Sequence, residues 1–306
     1  MSDAAIRQAA FGWLTEQVER HDDVLPRSVL HAGFQFSGAR VPLVGPQGIF
    51  KPRLCELPLS VLTACNGPYD DRTSHDGRFL YAYRGQNPKH RDNEGLRTLM
   101  QRRIPLIYFY CLLPGRYLAA WPVFVVGDEP ERLRFTIQLD DARVLDMLSF
   151  RDSSPRIALH YEPGGDERRR YVTREFEVRL HQRRFRERVL RAYRTQCALC
   201  RLRHHELLDA AHIVPDGEPG GDPRVPNGLA LCKLHHAAFD RLFVGVRPDG
   251  VIEVRRDILE EQDGPMLVHG LKRLHRHRIH APRRIEDRPD PNLLEVRYER
   301  FRAAAK

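Results

Sequence analysis

Lysine is scarce in this chain: 5 of its 306 residues, although lysine and arginine together number 50. Positive charge is therefore carried almost wholly by guanidinium, whose planar fork of donors suits phosphates and guanine edges. A GC-rich coding bias would leave the same composition. Long apolar runs are missing as well. No stretch reaches the roughly 20 residues of a membrane-spanning helix. Residues 1–20 carry interspersed charge instead of the apolar block of a secretory leader. Cysteine is limited to 6 residues. Without a leader these argue for a reducing cytoplasm, where paired cysteines hold metal more often than they build a disulfide scaffold. Internal repeats and low-complexity tracts are absent.

What is present is a globular composition, 42% apolar and 30% charged, with a length that suits two domains. The net charge of +9 is unevenly spread. Residues 1–150 hold 18 basic and 17 acidic groups and are close to neutral. Residues 168–194 hold 11 arginines against 3 acids, and residues 271–284 hold 6 basic groups, 3 histidines and no acid. Each block alone reads equally as a solvated helix face. Together they flank a polyanion site better than a small-molecule one.

Apolar spacing predicts a helix over 3–20, with Ile6, Ala10, Trp13, Leu14 and Val18 on one face. Strands are expected over 57–63 after Pro58, 78–84, 104–113, 117–126, 133–139 and 157–161. Pro114-Gly115 makes a hairpin turn, and a short helix covers 94–102. So many short strands predict a curved or barrel-like β domain. A strand is expected over 171–178 and a helix over 180–194, with Phe185, Val189 and Tyr193 on one face. A hairpin follows over 243–254 and a helix over 291–303.

The chemistry is concentrated between Cys197 and Asp240. Cys197-x-x-Cys200 and Cys232-x-x-His235 are two pairs, each able to bite one ion through a tight turn, and a set of three thiolates and one imidazole suits tetrahedral zinc. Four protein ligands leave no open position, so this zinc is expected to be structural. His236 and Asp240 stand four apart on one helical face and can share a second, hydrolytic ion such as Mg²⁺ or Mn²⁺. His212 precedes Ile-Val-Pro, where a strand would end facing that helix, and a near-neutral histidine there can act as general base. Asn227 can hold the His212 ring or fix the turn between the ligand groups. His204 and His205 read as loop residues. Cys55, Cys65 and Cys111 have no partner at ligand spacing and read as ordinary buried thiols.

Cys-x-x-Cys, Ala-His-Ile-Val-Pro, Asn-Gly-Leu and Cys-x-x-His-His-x-x-x-Phe-Asp together resemble the HNH (ββα-metal) endonucleases, in particular restriction enzymes with an Ala-Ala-His-Ile signature. The resemblance implies His212 as general base, Asn227 as the residue that orients it, and His236 with Asp240 as ligands of the catalytic metal. Many of these enzymes carry Asp or His directly before the base. This chain has Ala211 there, so the metal has fewer protein ligands or Asp209 reaches it.

In the front region Gly-Ile (48–49), Leu-Ser-Val (59–61), Tyr-Asp-Asp (69–71), Tyr-Arg-Gly (83–85) and Asn-Glu-Gly-Leu (93–96) follow an order similar to SRA domains, PUA-like barrels that flip a modified cytosine into an aromatic pocket. Tyr69 and Tyr83 would stack on the base and Asp71 would accept from its exocyclic amine. For each aromatic the plain alternative is β-barrel core.

The expected whole is an α+β protein: a PUA/SRA-like β-barrel over 1–162, an Arg-rich connector over 163–195, and a zinc-containing ββα-metal nuclease with a C-terminal extension over 196–306. It would cut double-stranded DNA carrying a modified base. A duplex break by single-site units favours a homodimer. Two rivals stand beside it. In one, the front domain reads unmodified sequence or a partner. In the other, a zinc knuckle binds DNA without cutting it.

Overall fold

Apolar residues at helical spacing build α1 (Asp3–Arg20), and Ser2 caps it by accepting from the Ala5 amide at 3.3 Å. The fold is taken from a computed structural model that describes residues 2–65, 78–139, 165–262 and 264–304; of residues 165–175 and 177 only the backbone is described. Ile6, Ala10, Leu14 and Val18 are buried along α1. Arg7 is buried beside them and donates to the carbonyls of Leu57, Pro58 and Pro105 and to Asp3, which satisfies a charge that burial would otherwise make costly.

Next come β1 (Val24–Pro26), α2 (Arg27–Ala32) and a small hairpin of β2 (Phe34–Phe36) and β3 (Ala39–Val41). The main sheet takes β4 (Ile49–Phe50), β5 (Ser60–Leu62), β6 (Phe79–Ala82), β7 (Leu106–Leu113), β8 (Arg116–Glu129) and β9 (Arg134–Leu139), with α3 (Arg91–Arg102) between β6 and β7. Its order is β4-β5-β7-β8-β9-β6, and β1 pairs with β8. The β5–β7 pair is parallel and the others are antiparallel. The Pro114-Gly115 hairpin stands where the sequence places it, with Gly115 at φ 83°.

The expected barrel is a curled half-barrel. β4 and β6 end the strand order and do not pair with each other among the described residues. A side chain spans the opening instead: Tyr81 of β6 donates to the carbonyl of Leu62 in β5, the strand beside β4. Gly48 lies in the same gap, where a Cβ would meet the Tyr81 hydroxyl at 2.8 Å.

Two other expectations change. Cys65 and Cys111 form a disulfide rather than two free thiols. Their separation of 46 residues conceals the pairing. The parallel β5–β7 register brings them together, since the Thr63 hydroxyl accepts from the Cys111 amide at 2.8 Å. Cys55 is a free buried thiol whose pKa burial pushes up to about 12. The strand expected over 171–178 is part of a helix, α4 (Gly165–Ala192). Phe176 and Leu180 are both buried, an i, i+4 relation that a helix satisfies and an alternating strand does not need. The strand expected over 157–161 lies outside the described residues.

Contacts divide the chain into two units, Met1–Leu180 and His181–Lys306, with the boundary inside α4. In the first unit Phe176 packs edge-on against Phe79, and Arg179 pairs with Asp23 at 2.7 Å. The second unit begins with the rest of α4. It continues with β10 (Leu208–His212), β11 (Gly228–Cys232), α5 (Lys233–Asp240), β12 (Val244–Val246), β13 (Ile252–Val254), α6 (Arg256–Glu260), α7 (Pro265–Gly270) and α8 (Pro291–Ala304). β10 and β11 are antiparallel, and β12 and β13 form the second hairpin. No helix among the described residues is long and apolar enough to cross a membrane.

Candidate active site and metal centre

The second unit is organised by a close approach of helix to hairpin. Phe185, Val189 and Tyr193 of α4 are buried against β10 and β11. A Cβ on Gly228 would stand 2.5 Å from Val189 Cγ2, so glycine is required where β11 begins. The contact seats the Phe185 ring on His212, with centroids 4.0 Å apart and planes 17° apart.

Two donor sets grow from the β11–α5 junction. In the first, Cys232 is the N-cap of α5 and His235 lies in its opening turn. His235 Nδ1 is 3.1 Å from Cys232 Sγ and 3.4 Å from Cys197 Sγ, and Cys200 Sγ is 3.9 Å from Cys232 Sγ. All four ligand atoms lie within 4.8 Å of one another. Ligands at about 2.3 Å from a tetrahedral zinc stand about 3.8 Å apart, so the set fits the ion. His235 Nε2 lies 2.7 Å from the Gly270 carbonyl, which fixes the tautomer that leaves Nδ1 free to ligate. Crowding splits the thiols: hydrogen bonds from Cys200 and Cys232 hold Cys197 well below the usual thiol range, and Cys200 is pushed up by Cys197 and Cys232. Burial opposes the charge on His235, but Cys197 and Cys232 outweigh it and raise its pKa to about 10. Three sulfurs and an imidazole nitrogen at these separations are a donor set for a soft divalent cation, which would displace the His235 proton.

In the second set, His236 presents its two nitrogens to two carboxylates. Nε2 is 3.3 Å from Asp240 Oδ2 and Nδ1 is 3.7 Å from Asp209 Oδ2. Burial works against the charged imidazole, but Asp209 and Asp240 outweigh it and raise its pKa. Burial also opposes the charge on Asp209. His236 and Lys233, at 3.2 Å, overcome it and hold the carboxyl well below its ordinary range. Asp209 Oδ1 is also 3.5 Å from Arg186 Nε. Arg186 is buried, bonds the Leu208 carbonyl at 2.9 Å and pairs with Glu187, which lies 3.2 Å from His205 Nε2. His205 thus belongs to a buried polar network rather than to an open loop.

His212 ends β10. Burial lowers its pKa, Asp216 and Asp240 oppose the shift, and His236 adds to it. Its Nε2 is buried and has no hydrogen-bond partner among the described residues. The two imidazoles are thus pushed in opposite directions, His212 toward neutral and His236 toward charged. Asn227 is fully buried and does not bond the His212 ring. Its Nδ2 donates to the carbonyls of Val214 (3.0 Å) and Asp222 (3.2 Å), and its Oδ1 accepts from the Val214 amide (2.9 Å). It pins the backbone that leaves His212. Ala211 is buried in the core and contributes no ligand.

Residues 197–247 match the HNH endonuclease family model. This segment runs from the first cysteine of the cluster of three cysteines and one histidine through the ββα unit to the end of β12. None of the curated proteins matches the chain. Among solved structures the chain is similar to "Modification dependent TagI restriction endonuclease", at 12% identity, covering 80% of this chain and 81% of that one, with a TM-score of 0.28. At that score the likeness assigns neither fold nor substrate.

Sequence reasoning missed several residues that shape the site. Asp216 acts on His212 from the Pro215-Asp216-Gly217 turn; an acid four residues beyond a candidate base was the available signal. Arg297 of α8 donates to the carbonyls of Phe239 (2.8 Å) and Asp240 (3.2 Å) and lies over the Phe239 ring. No local pattern announces that contact across 57 residues. In the first unit, Tyr83 is buried, its ring stacked on Phe135 at 4.5 Å and its hydroxyl bonded to Asp128 and Arg97. Phe135 thus covers one face of the Tyr83 ring. Tyr69 and Asp71 lie outside the described residues.

Proposed function

We propose that the chain is a DNA endonuclease that hydrolyses phosphodiester bonds at the His212–His236–Asp240 site. The observation that carries the reading is a base-competent histidine, held neutral, beside a His–Asp pair on the helix of an HNH-type ββα unit. His212 takes the proton of an attacking water. Phe185 and the Asn227-pinned backbone fix where its ring stands, so Asn227 acts as a positioning residue. His236 and Asp240 would hold a divalent ion such as Mg²⁺ or Mn²⁺, which would supply charge stabilisation at the phosphate. Asp209 lies at the other ring nitrogen, so we read it as the carboxylate that orients His236 rather than as a ligand. Ala211 offers no ligand, so His236 and Asp240 are the two side chains that would hold the ion. Cys197, Cys200, Cys232 and His235 would hold a zinc ion that staples the base of α5.

The first unit, on this reading, selects the DNA. The order of its motifs supports an SRA/PUA-like reader of a modified base in double-stranded DNA, with Tyr69 and Asp71 as pocket candidates, and a homodimer to cut both strands. Digestion of matched duplexes carrying cytosine, methylcytosine, hydroxymethylcytosine, methyladenine or phosphorothioate, with Mg²⁺ or Mn²⁺, tests this. Equal cutting of all five refutes modification reading. His212→Ala that still binds duplex but no longer cuts supports the nuclease. Unchanged cleavage removes His212 from the mechanism, and no cleavage by the wild type leaves the DNA-binding zinc knuckle.

A further inference from the structure

The cutting residues leave a second concentration of charge unexplained. Arg194, Arg201 and Arg203 are exposed on either side of the Cys197–Cys200 turn. The backbone there is tightly specified. Arg194 leaves α4 at φ 54°, and Arg201 closes the turn at φ 63° with its amide on the Cys197 carbonyl at 2.9 Å. The Cys197 amide in turn donates to the Leu202 carbonyl at 2.9 Å. His280 docks on the same turn, its amide donating to the Ala198 carbonyl at 2.7 Å. Partial burial, then Arg201, Arg194 and Arg203, lower the proton affinity of the His280 ring.

Some arginines of this unit are neutralised where they stand, as in Arg255–Asp257, Arg256–Glu260 and Arg302–Glu299. Among the described residues none of Arg194, Arg201 and Arg203 has a salt bridge. Zinc with three thiolates and an imidazole carries a net charge of about −1, too little to balance three guanidinium groups. The cations repel one another, and the knuckle backbone holds them together regardless. Such an uncompensated cluster matches a polyanion.

We propose that Arg194, Arg201, Arg203 and His280 form a phosphate-binding patch that grips the backbone of the duplex substrate, using none of the residues of the cutting site. The inference rests on the nuclease reading above and names a second contact for the same DNA. Guanidinium groups bind phosphate oxygens through paired, charge-assisted bonds and carry no sequence information, so the patch adds affinity and register rather than specificity.

The test is equilibrium binding of a double-stranded oligonucleotide to the full, zinc-loaded chain across a range of salt, by fluorescence anisotropy. His212→Ala serves as background so that the probe is not cut. Adding Arg194→Gln, Arg201→Gln and Arg203→Gln is expected to weaken binding at low salt by about 10-fold or more and to reduce the slope of log K against log salt by about 2–3. The control triple Arg255→Gln, Arg256→Gln and Arg302→Gln is expected to leave the slope unchanged. Zinc content is measured in each protein. Loss of zinc from the patch variant would show that the arginines serve the knuckle, and would overturn the proposal. An unchanged slope in a zinc-loaded patch variant overturns it too, while cleavage by the wild type keeps the nuclease reading intact. Failure of the background protein to bind duplex at all overturns both. If the triple variant misfolds, the single variants decide, each expected to lose about 0.9 of slope.

Discussion

His235 and His236 are neighbours in sequence and face different donor sets: His235 Nδ1 lies 3.1 Å from Cys232 Sγ, and His236 Nε2 lies 3.3 Å from Asp240 Oδ2. Successive residues of a helix point about 100° apart. One short helix can therefore close a thiolate cluster with one residue and present a hydrolytic site with the next. Any shift of α5 about its axis disturbs both.

This predicts that the two metals are separable by mutation. His236→Ala and Asp240→Asn should abolish Mg²⁺- or Mn²⁺-dependent cleavage while metal analysis still finds zinc. Cys232→Ser should lose zinc and, with it, the cooperative unfolding of residues 181–306, followed by hydrogen exchange. Zinc loss in the His236 variant would show that the sites are not independent.

Asp209→Asn should weaken binding of the hydrolytic ion about 10- to 100-fold, measured by calorimetry with Mn²⁺, because an amide is a poorer acceptor for the His236 Nδ1 proton. The zinc content should not change. Unaltered Mn²⁺ affinity would remove Asp209 from the site.

Cleavage should show an acid limb set by His212. Burial lowers its pKa below the ordinary histidine value, so the ring is neutral and able to accept a proton at neutral pH, and activity falls only as pH drops through that lowered pKa. Asp216 raises the His212 pKa, so Asp216→Asn should move the acid limb of kcat/KM to lower pH. A move to higher pH would contradict the assignment.

Asn227→Ala should destabilise the second unit by about 2–4 kcal/mol in denaturant melts, since it strands a buried amide and two carbonyls. Cleavage should fall further than the loss of folded protein explains, because His212 loses its anchored backbone. Activity that only tracks the folded fraction would make Asn227 a purely structural residue.

The cluster of three cysteines and one histidine, the ββα order and the hairpin turns were legible because spacing carries them. Cys-x-x-Cys needs only a local turn, and His236 and Asp240 need only one helical turn. What spacing cannot carry was missed. The Cys65–Cys111 bond follows from a parallel strand pair brought together by a crossover. Residues 171–178 alternate like a strand, but burial of Phe176 and Leu180 on one helical face overrides that pattern. Spacing likewise does not show that Phe135 lies on one face of the Tyr83 ring.

Arg297 holds the end of α5 from 57 residues downstream, donating to the Asp240 carbonyl at 3.2 Å. Protein is made from its N-terminus, so α5 leaves the ribosome well before its clasp is synthesised. A nascent or truncated chain carries every cutting residue yet lacks the buried cation that secures Asp240. On the nuclease reading proposed above, the site would thus be completed only late in synthesis.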